Sequence, residues 1–129
     1  MMASRAADWF AQAEHDIEVA RGLRANGHYE WAAFACQQAA EKALKAVLQQ
    51  RGKTAWGHSV VELLQAVETP DEAGDLRGCA IRLDRSYMGA RYPDTWPEGP
   101  PHQYYQQEDA DEALDCAERI VRFCHGLLA

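Results

Sequence analysis

The sequence predicts an all-α fold, an up-and-down four-helix bundle with one short extra helix, as a single domain over residues 1–129. Three observations carry that prediction. Apolar residues recur at steps of three and four along four long segments, the period of a helix with one buried face. No segment alternates apolar and polar residues as a half-buried strand would. Asn26-Gly27, Arg51-Gly52 and the Pro-rich stretch Gly89–Gln107 separate the periodic segments.

The first helix is expected from near Ser4 to about Ala25, with Trp9, Phe10, Ala13, Ile17, Ala20 and Leu23 as its apolar stripe. Asn26-Gly27 stops it, because Gly takes the left-handed conformation freely. The second helix is expected from about Glu30 to Arg51-Gly52. Its stripe is Ala32, Cys36, Ala39, Ala40, Ala43, Leu44, Val47 and Leu48, and so many alanines imply a close helix–helix approach. Along the same helix Gln37, Gln38, Glu41, Lys42 and Lys45 fall in steps of three and four, so several share a face.

Ser59 and Glu62 have the spacing of a capping box ahead of Val60, Val61, Leu63, Leu64 and Val67, a short third helix. Thr69-Pro70-Asp71-Glu72 reads as the start of the fourth, with Thr69 as cap and Pro70 in the first turn. Leu76, Cys79, Ala80, Leu83 and Tyr87 form its stripe. The last helix is expected from about Asp109 to Leu127, with Ala110, Ala113, Leu114, Ala117, Ile120, Val121, Cys124 and Leu128 facing the core. Asp109, Asp111 and Glu112 suit the positive end of its dipole. The loop Gly89–Gln107, rich in Pro and aromatics, is long enough to be functional or tied down by packing.

A chain of 129 residues with 47% apolar residues can build a core without metals or disulfides. Its net charge of −7 argues against a general nucleic-acid binder that neutralises many phosphates. The charge is uneven: residues 1–58 carry +1 and the remainder −8. An anion site would therefore draw on the helix around Lys42 and Lys45 rather than on the overall field. Cys36, Cys79, Cys116 and Cys124 have no metal-finger spacing and are expected to be buried free thiols in a reducing cytoplasm. Charges scattered through Met1–Arg24 do not suit a signal peptide, and no apolar run reaches membrane-spanning length. No metal spacing such as HExxH occurs, and neither a metal nor a cofactor is expected.

Four pieces of the chain together resemble the HEPN domain family of small helical proteins. They are Gly27-His28-Tyr29 after the first helix, CQQAAEKALKAVLQQRG, His58 ahead of SVVELL, and LDRSYMGARYPD followed by PHQYYQQEDADEALDCAERI. Their order and spacing cover nearly the whole chain. The resemblance implies a helical bundle that forms a homodimer. It also implies a small nucleotidyltransferase partner in a toxin–antitoxin pair, and nucleotide or RNA binding. A ribonuclease branch of the family uses an Arg followed, after four to six residues, by a His. Arg21/His28, Arg51/His58 and Arg119/His125 match that spacing, about one such pair being due to chance. At the junction where the family carries the motif, Arg91 and His102 are separated by ten residues, which departs from it.

Each candidate residue has a structural alternative. Lys42 and Lys45 could bind phosphate or an acidic partner, or be solvated helix charges, with Glu41 and Lys45 as a pair. Gln37 and Gln38 could cross a dimer seam or lie on an exposed face. His58 could be a ligand or acid–base group, or hold its loop by a backbone hydrogen bond. Arg91, one turn after Tyr87 and stiffened by Pro93, could grip phosphate bidentately, or pair with Asp84 or Asp94 to anchor the loop. Trp96, Tyr104 and Tyr105 could stack on a base or cover the end of the bundle. The nucleotide- or phosphate-binding set is thus Lys42, Lys45, His58, Tyr87 and Arg91. The alternative is a metal-independent endoribonuclease with Arg91 on the phosphate and His102 as base.

Overall fold

A computed structural model describes residues 4–67 and 70–129, the side chains of 70–75 excepted. Four long helices, α1 (Ala6–Ala25), α2 (Tyr29–Gln50), α4 (Pro70–Gly89) and α5 (Gln107–Leu128), pack with the short α3 (Val60–Val67), and no strand occurs among the described residues. Two 3-10 turns, η1 (Pro93–Thr95) and η2 (Pro101–Gln103), lie in the loop before α5. No helix of the described residues is long and apolar enough to cross a membrane.

The central helix is α2, which packs against α1, α3, α4 and α5. Its predicted stripe is buried throughout, but burial extends further, to Ala33, Gln37, Glu41, Lys45 and Ala46. From Ala43 to Leu48 every residue is buried, so α2 has no solvent face there. Alanine makes this possible: with a methyl for a side chain, neighbouring helices approach from several sides at once.

The helix ends follow local chemistry. Gly27 has φ +82° after α1, with His28 N donating to Leu23 O at 2.9 Å. Gly52 has φ +70° after α2, with Lys53 N donating to Leu48 O at 2.9 Å. Both close the last turn in the left-handed manner that favours Gly. The α5 start is two residues earlier than the acidic run suggests, because Gln106 and Asp109 cap it reciprocally. Thr69 lies outside the described residues.

Ser59 caps α3 by accepting from Glu62 N at 3.2 Å, yet most of the capping comes from α4. Asp84 accepts from Val60 N at 2.7 Å, from Val61 N at 3.1 Å and from the Ser59 hydroxyl at 3.0 Å. One carboxylate therefore satisfies two open amides and docks α3 on α4. Asp84→Ala is expected to lower stability by about 2–3 kcal/mol, the scale of hydrogen bonds to a charged group. The shift in urea midpoint measures it, and Asp84→Asn should recover part of the loss.

The cysteines require a correction. Cys79 on α4 and Cys116 on α5 form a disulfide, with Cα atoms 4.9 Å apart, while Cys36 and Cys124 are free and buried. All four do lie in the core, but two of them are not the free thiols expected in a reducing compartment. The pairing arises where the α4 and α5 stripes meet, a juxtaposition that a sequence separation of 37 conceals.

The long loop is tied down. Trp96 Nε1 donates to Gly89 O at 2.7 Å, the Trp96 ring stacks on Tyr104 at 4.0 Å, and Tyr105 meets it edge-on at 6.2 Å. The Tyr104 hydroxyl donates to Glu98 O. These three aromatics pack on one another at the α4–α5 end.

Candidate functional site

One face of α2 carries Phe34, Gln37, Glu41 and Lys45 in steps of three and four. Phe34 is half-buried; the other three are buried, an unusual set of polar side chains for a helix interior. Their polar atoms answer one another. Lys45 Nζ lies 3.1 Å from Glu41 Oε2, with the two side chains only 11% and 5% exposed. Gln37 Nε2 donates to Glu41 Oε1 at 3.2 Å and to the carbonyl of His58 at 2.9 Å. Gln38 donates to Gln37 Oε1 at 2.7 Å. A buried carboxylate surrounded by an ammonium and amide donors is compensated, where an isolated one would not be.

His58 completes this group from the loop after α2. Its Nδ1 stands 3.2 Å from Glu41 Oε1. A carboxylate can only accept, so Nδ1 carries the hydrogen, and in the neutral ring Nε2 keeps its lone pair. Beyond Glu41 the ring is half-exposed and stacks on Tyr87, centroids 4.8 Å apart and planes 16° apart.

Tyr87 leads to Arg91. The guanidinium carbon lies 4.4 Å from the Phe34 ring centroid, 4.7 Å from that of Tyr87 and 4.9 Å from that of Tyr92. Nε donates to Tyr87 O at 2.7 Å, which fixes the plane of the fork. The terminal nitrogens have only weak company, the Tyr92 hydroxyl at 3.5 Å and Met88 Sδ at 3.7 Å. Neither Asp84, spent on α3, nor Asp94 pairs with it, and no carboxylate does among the described residues. Aromatic faces hold the cation without neutralising it. Exposed Trp31, 6.0 Å from Phe34, and exposed Met88 and Tyr92 extend the patch.

The structure therefore brings four of the predicted residues into one file, Lys45–Glu41–His58–Tyr87–Arg91, with Glu41 as the added link. Lys45 stands at its buried end, balanced by Glu41 and 5.7 Å from the Trp9 ring. Lys42 points elsewhere, to Asp16 of α1 at 2.7 Å. His102 sits exposed in η2 and has no hydrogen bond or ring contact with the Arg91 group. Gln37, read from sequence as a seam or exposed residue, is 0% exposed. The residues the sequence reading missed are Phe34, Tyr92 and the role of Glu41. A Glu–Lys pair one turn apart within a run of alanines was the available signal for Glu41.

Comparison with known proteins agrees with this architecture. A family model described as HEPN domain matches residues 6–127. A solved structure of TT1696 from Thermus thermophilus is 43% identical, covers 97% of this chain and 99% of its own, and superposes with a TM-score of 0.90. ST0689, described as an archaeal HEPN homologue, is 43% identical over 98% of this chain and 100% of its own, with a TM-score of 0.84. A HEPN domain protein of Thermotoga maritima is 36% identical over 94% and 97%, with a TM-score of 0.74. A Methanocaldococcus jannaschii protein described as "Putative toxin MJ1304" is 26% identical, covering 91% of this chain and 84% of that protein.

Proposed function

The chain belongs to the HEPN domain family, and from that premise we propose that it is an interaction module of a toxin–antitoxin-type pair. In this reading it forms a homodimer, partners a small nucleotidyltransferase, and binds a nucleotide or RNA through Arg91, with Tyr87 and His58 beside it. The relative described as "Putative toxin MJ1304" supports the setting. The observation that carries the binding reading is Arg91 itself, a guanidinium held on three aromatic rings with its terminal N–H groups free of any carboxylate among the described residues. That is the form in which Arg takes a phosphate bidentately while the neighbouring rings receive a base.

A ligand that binds only the folded chain must raise its melting temperature. ATP, GTP or a short single-stranded RNA at a hundred times its dissociation constant should add about 2.7 kcal/mol. A melting temperature unmoved by all three would sink the binding reading. Light scattering on the gel-filtration peak tests the homodimer, and a monomer mass at micromolar concentration would count against it.

One observation favours a second reading, a metal-independent ribonuclease. Among the described residues nothing is hydrogen-bonded to His58 Nε2, and the ring lies on Tyr87, which also carries Arg91, so base and phosphate cation share one support. In EDTA, RNA cleavage should then be lost in Arg91→Ala and His58→Ala and kept in His102→Ala. Loss in His102→Ala instead would return the role of base to the pair read from sequence. Cleavage that survives Arg91→Ala would remove Arg91 and His58 as its site.

A further inference from the structure

Helix α4 has two different flanks. Asp84, Tyr87 and Arg91 meet α3 and α2, whereas Cys79, Arg82 and Ser86 meet α5 and the loop before it. On the second flank lies a cleft of about 200 Å³ between α4, α5 and the loop. The disulfide ties its two helical walls together one turn away.

The lining is dipolar. The α4 side carries Arg82 and Arg85; Arg82 reaches Glu112 only at 3.9 Å, and Arg85 has no ion pair among the described residues. The α5 side carries Asp109 and Glu112. Asp109 uses one oxygen to cap α5, and the other has no hydrogen bond among the described residues. In the lining Ser86, only 6% exposed, shares a 3.0 Å hydrogen bond with the Tyr105 hydroxyl. Only one of the two O–H groups can donate into that bond, so the other remains available. Burial raises the Tyr105 pKa, which keeps its hydroxyl protonated as a donor. Trp96, fixed by its bond to Gly89 O and backed by Tyr104, gives the aromatic wall.

We propose that this cleft is a second ligand site, separate from Arg91, for a small aromatic zwitterion of the α-amino-acid type. Its carboxylate would face Arg85 and the Ser86–Tyr105 hydroxyls, its ammonium Asp109 and Glu112, and its ring Trp96. Charge complementarity selects this class. Arg82 and Glu112 already face each other, so a simple aromatic acid would leave Asp109 without a counter-charge and a simple aromatic amine would leave Arg85 without one. The cleft is below the size of drug-binding pockets and suits a single ring system.

The Trp96 indole N–H resonance, assigned with Trp96→Phe, reports occupancy in titrations with L-phenylalanine, phenethylamine, 3-phenylpropionate and L-alanine. Phenylalanine is expected to shift it saturably. The three probes that lack one feature should bind about 10-fold more weakly or worse, the scale of one charge-assisted hydrogen bond or a buried ring. Arg85→Ala, at an exposed position, should weaken phenylalanine binding by a similar factor, and Ser86→Ala less. No saturable shift with phenylalanine, equal affinity for all four probes, or binding unchanged in Arg85→Ala would overturn the site.

Discussion

Glu41→Ala is expected to destabilise the protein by about 3–5 kcal/mol, the cost of leaving a buried charge without its partner. Lys45 would remain 9% exposed, with no counter-ion in reach on its own helix. Gln37 would lose one of its two acceptors, and the His58 ring its anchor. Urea unfolding at neutral pH measures the loss. The double variant Glu41→Leu with Lys45→Met removes both charges and should recover much of it, since a well-packed apolar pair often equals or exceeds a buried ion pair. A loss under about 1 kcal/mol in Glu41→Ala would mean that Lys45 escapes to water, as at an exposed pair. The His58 ring should move even where the fold survives, so Glu41 acts on the site as a positioning residue.

The second large effect concerns the disulfide. Closing a loop with a sequence separation of 37 removes chain entropy worth about 4 kcal/mol in the loop-closure model. Thermal melting with and without a reductant that reaches the core should differ by that order. Thiol counting gives the independent reading. Cys36 and Cys124 have their pKa pushed up to about 12 by burial, so at about pH 8 they stay protonated and unreactive in the native protein. Alkylation should find no reactive thiol in the native state, two after unfolding, and four only after unfolding with reduction. Four thiols in the unfolded, unreduced protein would show that the pair is not bonded.

The four long helices and the short one were legible because each has a periodic stripe and local stop signals such as Gly27 and Gly52. The burial of α2 was less so. Its stripe predicted one buried face, but a helix surrounded by four others buries its polar residues as well, and Glu41, Lys45 and Gln37 look like surface residues until the neighbours are known. Asp84 shows the same limit: it caps a helix that begins 24 residues earlier in the chain. At the candidate site, Tyr87 and Arg91 were readable as one helical turn. Their meeting with His58 and Phe34 depends on how α2, α4 and the loop between α2 and α3 pack, which no local pattern encodes. Lys42 and Lys45 are three residues apart, yet packing sends one to Asp16 and the other to Glu41.

The most direct test is the dissociation constant for ATP, GTP and a short single-stranded RNA, measured at fixed salt on the native chain, Arg91→Ala and Arg91→Lys. Binding through the aromatic-held guanidinium predicts a loss of about 10- to 100-fold in Arg91→Ala, the worth of a charge-assisted hydrogen bond. Arg91→Lys should lose nearly as much, because a point charge replaces neither the fork nor its stacking on three rings. Equal affinities in all three proteins, or no binding by any, would contradict the assignment of this site to phosphate.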